Sequence, residues 1–373
     1  MTEAMEEREK KSLLFDRLIS SGADFADRFG WLMADSYGDT EKEYRSVRQT
    51  AGLVDLSFCG AIKIGGKEGA QFLHGLVTND VKALEKGKGM RAAFLTGHGK
   101  VRAFCRILAL SDGFLVINDP QTHEKVFKYV FPFSYAGDFK VEDVSEQYRM
   151  LSLQGPASGL VLKEICFEPV PQLEEQSWVE NMIAGHHILI AAASHTGELG
   201  YDILVSEAGI NDVWDFTILK GEFHSLAPVG LRAVDALRIE AGIPVYGIDV
   251  DETNMMLEAG LPDAVSFSKG CYTGQEAVAM ATYRGHVSKR LSGLAVDGDI
   301  VPSHGDRIEK DGKDIGQITS SIRSQTLSRV IALGLVKYGF FDPGTRVQIR
   351  SGERALNAEI VDIPFYRRDP DLN

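Results

Sequence analysis

From residue 286 onward, turn-forming pairs recur at short intervals: Asp297-Gly298, His304-Gly305, Asp311-Gly312, Pro343-Gly344 and Ser351-Gly352. Short apolar stretches lie between them. Strands of this length and spacing cannot bury a face alone, so the pattern predicts a small closed sheet, a β-barrel or sandwich. A chain of 373 residues is long for one core. A separate C-terminal unit over 286–373 is therefore expected after a larger α+β region over 12–285.

In that larger region the texture is mixed. Residues 12–28 carry helical spacing of Leu13, Leu14, Leu18 and Ile19, followed by a loop through Trp31 and Tyr37. Residues 40–51 suit a charged surface helix, and 67–76 a helix with Ala70, Phe72, Leu73 and Leu76 facing inward. Alternating stretches predict strands at 60–64, 92–95, 101–110, 114–117, 139–144, 148–154, 188–193 and 201–205. Residues 168–176, rich in Pro, Gln and Glu, suit a surface connection, and 209–219 and 230–240 suit helices.

Several function classes lose ground on composition. The net charge of -13 argues against a broad nucleic-acid surface. The charged N-terminus lacks the apolar stretch of a secretory signal, and no apolar run reaches the length of a membrane span. Cys59, Cys105, Cys166 and Cys271 are widely separated and form no Cys-x-x-Cys pair. That excludes a local zinc site and a disulfide framework, so no metal site is expected and a cytoplasmic, reducing compartment fits. No Gly-x-Gly-x-x-Gly, no P-loop and no His-Glu-x-x-His is present.

One octet stands out: Lys269-Gly270-Cys271-Tyr272-Thr273-Gly274-Gln275-Glu276. Thr273 and Glu276 have capping-box spacing ahead of an apolar helix. The positive potential of a helix start, with Lys269 near, would favour the thiolate of Cys271. The plain alternative is a capped helix preceded by a buried cysteine.

Motifs spread along the chain resemble the glycine-cleavage T-protein, the aminomethyltransferase superfamily. They include Val47-Arg48-Gln49-Thr50-Ala51-Gly52-Leu53-Val54-Asp55, Leu76-Val77-Thr78-Asn79-Asp80 and Leu153-Gln154-Gly155-Pro156. Thr196-Gly197-Glu198-Leu199-Gly200-Tyr201-Asp202 and Leu237-Arg238-Ile239-Glu240-Ala241-Gly242 continue the series. The octet itself resembles a sister branch, the YgfZ-type folate-binding proteins. The resemblance implies a three-domain ring of α+β type whose first two domains interleave in sequence, a C-terminal β-barrel, and tetrahydrofolate as cofactor.

The pocket departs from the aminomethyltransferase pattern. Where those enzymes carry paired aspartates, this chain reads Ala103-Phe104, and neither side chain can hold a proton. Val234 replaces an arginine, and His195 stands where tyrosine is frequent. The resemblance places Asn79, Asp80, Asn118, Glu198, Tyr201, Asp202 and Arg238 at the folate, joined by Tyr272, Gln275 and Glu276 of the octet. Asp202 matches a glutamate position, and a carboxylate there could accept a pterin N–H and amino group as a bidentate pair. Plainer roles stand beside these: Asn79 and Asp80 as caps, Asn118 as a strand end, Glu198 as a solvated turn residue, Arg238 as helix surface.

The leading expectation is a YgfZ-type tetrahydrofolate-binding protein supporting iron–sulfur cluster assembly, with Cys271 and Lys269 as its reactive pair and iron–sulfur clients as partners. The first alternative is a folate-dependent aminomethyl- or methyltransferase using another acid, such as Asp80 or Glu198. The second is a folate-free scaffold.

Overall fold

Strand Val101–Ala109 shows how the sequence builds the first sheet. Val101, Ala103 and Cys105 are buried on one face, while Arg102, Phe104 and Arg106 project from the other and are half-buried. In the computed structural model, which describes residues 10–283 and 285–368, this strand pairs antiparallel with Gly89–Leu95 and Gly113–Asn118. Gly60–Gly65 and Lys140–Asp143 complete five strands. Helices Gly69–Leu76 and Pro120–Val130 cover the core face, packing Leu73, Val126 and Val130 among Ile62, Phe94 and Val116.

The second sheet has six strands in the order Trp178–Ile183, His186–Ala192, Gly200–Val205, Arg149–Gln154, Ala51–Asp55, Leu226–Pro228. Leu226–Pro228 pairs parallel with Ala51–Asp55, and the other pairings are antiparallel. Ala51–Asp55 comes before the first sheet in sequence and Arg149–Gln154 after it, so the two units interleave. Every residue of Ala51–Asp55 and Gly200–Val205 is buried. Helices Ser158–Ile165 and Ile210–Gly221 supply Val161, Leu162, Val213 and Trp214 to this sheet's core.

The C-terminal strands close into a six-stranded barrel between Lys289 and Val361. Leu294, Ile318, Val336 and Ile349 fill it. Polar bonds tie it to helix Leu231–Glu240 and the segment after it: Arg238 Nη2 donates to Ser320 Oγ at 2.8 Å, and Thr319 Oγ1 donates to Asp249 Oδ1 at 2.6 Å. No helix among the described residues is long and apolar enough to cross a membrane.

The N-terminal region differs from expectation. The helix covers only Phe15–Ser20, and a hairpin of Asp24–Arg28 and Trp31–Ser36 follows. Gly22, at φ 85°, ends the helical path after Leu14 and Leu18 have reached the core. Strand Trp178–Ile183 was not expected either. It lies at a sheet edge and carries Glu180 and Asn181 among apolar residues, which weakens its alternation.

Candidate functional site

A cavity of about 270 Å³ opens where the two sheets meet the N-terminal hairpin and helix Leu231–Glu240. Phe104, Arg106 and Asn118 line it from the first sheet, Met150 and His195 from the second sheet and its following turn, and Arg238 from the helix. The size lies near the lower end of small-molecule sites. The alternation of strand Val101–Ala109 decides which side chains reach it. Ala103 belongs to the core behind the sheet, so of the pair Ala103-Phe104 it is Phe104 that faces the cavity.

Asp202 does not line the cavity. It is 0% exposed and lies behind the wall formed by His195 and Arg106. Ser152 Oγ donates to its Oδ1 at 2.7 Å, His195 Nε2 stands 3.0 Å from Oδ1 and 3.1 Å from Oδ2, and Arg106 pairs with Oδ2. Burial alone would raise this carboxyl. The Arg106 guanidinium and His195 overcome that and hold it well below the usual carboxylate range. The carboxylate is thus held on both oxygens by its own protein.

The next segment of wall is the reverse case. Asn118 is 1% exposed, and its Oδ1 is buried without a hydrogen-bond partner among the described residues. Gln121 donates through Nε2 to the Tyr246 carbonyl at 2.9 Å, while its buried Oε1 has no partner. Between them Asp119 lines the cavity at the N-terminus of helix Pro120–Val130, and its side chain makes no capping bond. Burial raises the Asp119 carboxyl, opposed by the charges of His195 and Arg106. Asp119 and Gln121 are absent from the expected site residues. Asp119-Pro120 has the form of an N-cap followed by proline at the first helical position, which gives the carboxylate an ordinary role on paper.

The remaining expected residues go elsewhere. Asn79 Nδ2 donates to the carbonyls of Arg91 and Asp263, both at 2.9 Å, and Asp80 lies 3.2 Å from His74 Nδ1. Tyr201 packs into the core of the six-stranded sheet. Glu198 is buried in an ion cluster, 2.6 Å from Arg48 and 2.9 Å from Arg368, with Glu240 on the other Arg48 nitrogen. Arg238 borders the cavity but is also bonded to Asp249 at 2.5 Å and Asp235 at 3.0 Å.

The octet lies outside the cavity lining and works as a clamp. Lys269 is 6% exposed, and its Nζ donates to the carbonyls of His74, Val77 and Asn79 at 2.6, 2.7 and 2.9 Å. Those carbonyls lie at and just past the C-terminus of helix Gly69–Leu76. Burial lowers the Lys269 ammonium to about 8. Tyr272 is buried against Val101, Met256 and Ala264. The Thr273 amide donates to Gly75 O at 3.0 Å, so Thr273 belongs to the clamp, and helix Gln275–Tyr283 begins two residues later. Gly274, at φ 84°, packs so closely on the turn 96–99 that a Cβ would stand 2.6 Å from Thr96 O. Gln275 and Glu276 open that helix away from the cavity lining, and Cys271 is exposed. No group of His, Cys, Asp or Glu among the described residues could hold a metal ion.

The fold and site together define an interleaved two-sheet α+β protein with a C-terminal barrel and a cavity against the helix that joins them. Residues 14–269 match the GCVT N-terminal domain, and residues 289–367 match the glycine cleavage T-protein C-terminal barrel domain. The chain belongs to the glycine cleavage T-protein family. It is 33% identical to an aminomethyltransferase of Halothermothrix orenii over 95% of this chain and 99% of that protein. It is 29% identical to that of Bacillus subtilis over 96% and 99%. The crystal structure of glycine cleavage system aminomethyltransferase T from Bartonella henselae superposes with a TM-score of 0.89 over 96% of this chain and 98% of that one, at 23% identity.

These relatives overturn the expectation of a YgfZ-type iron–sulfur role. Proteins alike along the full length of this chain are aminomethyltransferases. The octet that suggested the sister branch is accounted for by packing: its lysine caps a helix, its tyrosine fills a core, and its glycine fits against a turn.

Proposed function

We propose that the chain is a folate-dependent one-carbon transferase of the aminomethyl type, and that the cavity takes tetrahydrofolate, the family's cofactor. The observation that carries this reading is the cavity wall at residues 118–121. Its acceptors are buried or half-buried with no partner among the described residues, beside the aromatic face of Phe104. Unsatisfied buried acceptors are costly, and a ligand that brings N–H donors relieves that cost. A reduced pterin has such a donor edge and a flat face for an aromatic wall. When bound, it would supply the nitrogen that receives the one-carbon unit.

The chain's own residues then divide the work. Phe104 and Ile117 present apolar surface to the ring and keep water from it. Arg106 supplies positive charge to the inner wall and His195 stands beside it, both held in place by Asp202. Arg238, braced by Asp249 and Ser320, fixes the cavity edge to the barrel.

The test is turnover. Purified protein is incubated with tetrahydrofolate and either an aminomethyl-loaded lipoyl carrier or small methylated amines. Formation of 5,10-methylene- or 5-methyltetrahydrofolate above the uncatalysed rate is expected. Tight folate binding with no product from either donor would overturn the transferase reading; no binding would overturn the folate reading as well.

A further inference from the structure

Resting on the folate reading, the strongest unexplained feature is a contrast between two carboxylates beside one cavity. Asp202 is fully buried, and Ser152, His195 and Arg106 occupy its oxygens. To receive a ligand it would have to give up those partners and expose itself through a wall. Asp119 lines the same cavity, and its carboxylate takes no hydrogen bond from any described residue, its own helix N-terminus included. On either side of it Asn118 Oδ1 and Gln121 Oε1 are acceptors without partners. The Gln121 amide is oriented by its 2.9 Å bond to the Tyr246 carbonyl, which leaves the oxygen as the unused end. Three side chains within four residues thus present unused acceptors, and the matching ligand edge carries donors.

We infer that segment 118–121 is the edge that recognises the ligand ring, with Asp119 accepting the adjacent ring N–H and exocyclic amino group of the pterin. Two parallel N–H bonds to one carboxylate give orientation as well as affinity. Arg106 and His195 lie near enough to act on Asp119 by charge, and both oppose the upward pull of burial on its carboxyl. Asp202 becomes a positioning residue that holds Arg106 and His195 in place.

Calorimetric titration with 5-formyltetrahydrofolate, and with an analogue lacking the 2-amino group, tests this in wild type, Asp119→Asn and Asp119→Glu. Thermal melts confirm that each variant is folded. Asp119→Asn is expected to bind the parent ligand at least tenfold more weakly, since it loses both charge-assisted bonds. Asp119→Glu should recover part of the loss. Removing the 2-amino group should weaken wild type severalfold but Asp119→Asn by less than twofold, because the partner is already gone. Equal affinity of wild type and Asp119→Asn for the parent ligand would overturn the proposal and leave the folate reading standing. So would an equal penalty for the analogue in both proteins. Absence of binding by wild type would remove the folate reading and this proposal with it.

Discussion

Replacing Lys269 by methionine separates a structural lysine from a reactive one. Methionine keeps most of the apolar stem, so the change falls on the ammonium. Lys269 Nζ holds three carbonyls at 2.6, 2.7 and 2.9 Å, and each is a charge-assisted bond of roughly 1.5–3 kcal/mol. Against this stands the cost of burying the charge. A pKa lowered from 10.5 to about 8 corresponds to roughly 3 kcal/mol. The bonds outweigh the burial cost, and Lys269→Met is expected to lose about 2–4 kcal/mol of stability. Urea unfolding at neutral pH reads this as a lower midpoint.

The pH dependence gives a second, independent readout. Between about pH 8 and 10.5 the unfolded chain holds the Lys269 proton while the folded chain has released it. Stability therefore gains from rising pH in that window, by up to about 1.4 kcal/mol per pH unit from this group. Lys269→Met lacks that contribution, so the wild-type minus variant difference should grow across the window and stay level below pH 7. A variant with unchanged stability and abolished turnover would refute the clamp and restore Lys269 to the chemistry.

Three other outcomes follow from the same geometry. Arg48→Met leaves buried Glu240 without the Arg48 guanidinium and Glu198 with Arg368 in place of two arginines, and should cost about 3 kcal/mol, seen as a lower unfolding midpoint. Cys271→Ala should change stability by less than about 0.5 kcal/mol and leave folate affinity unchanged. In native wild type an aromatic disulfide should modify Cys271, while Cys59 and Cys105, whose thiols burial pushes up, react only after unfolding. Asp202→Asn removes a carboxylate held below its unfolded value of about 3.9. Its stabilisation is complete above that pH and drains as pH falls below it, so wild type should show an acid loss of stability near pH 4 that the variant lacks.

Much of the architecture was legible because it rests on local period and turn chemistry. The alternation along 101–110 placed a half-exposed strand correctly, and the recurring glycine turns past residue 286 placed the barrel strands. The hairpin from Asp24 to Ser36 was not legible, because five residues with two aspartates and one arginine carry no clear period. The site was harder still. Asn118 and Arg238 do border the cavity, yet whether a carboxylate is free or spent depends on partners far away in sequence. Glu198 is neutralised by Arg48 at a separation of 150 residues, and Asp202 by Arg106 across a sheet. The octet misled for a related reason. A lysine, a cysteine and two glycines together suggest chemistry, but Lys269 and Gly274 each meet a packing constraint and Cys271 is exposed outside the cavity lining.

The loss at Phe104 and the free carboxylate at Asp119 belong to one piece of geometry. Strands Val101–Ala109 and Gly113–Asn118 run antiparallel with Cys105 opposite Asn118. Asp119 follows Asn118 just past the strand end, and it lines the same cavity as Phe104. A carboxylate at either position therefore addresses the same part of the cavity. Carboxylates at both would repel each other in a half-buried site, and one would be driven to hold a proton. Phe104 removes that conflict and adds an aromatic face beside the remaining acid. Arg106 and His195, which line the same cavity, are fixed from behind by Asp202. A carboxylate too short and too well partnered to reach the ligand can still set the field in which the ligand binds.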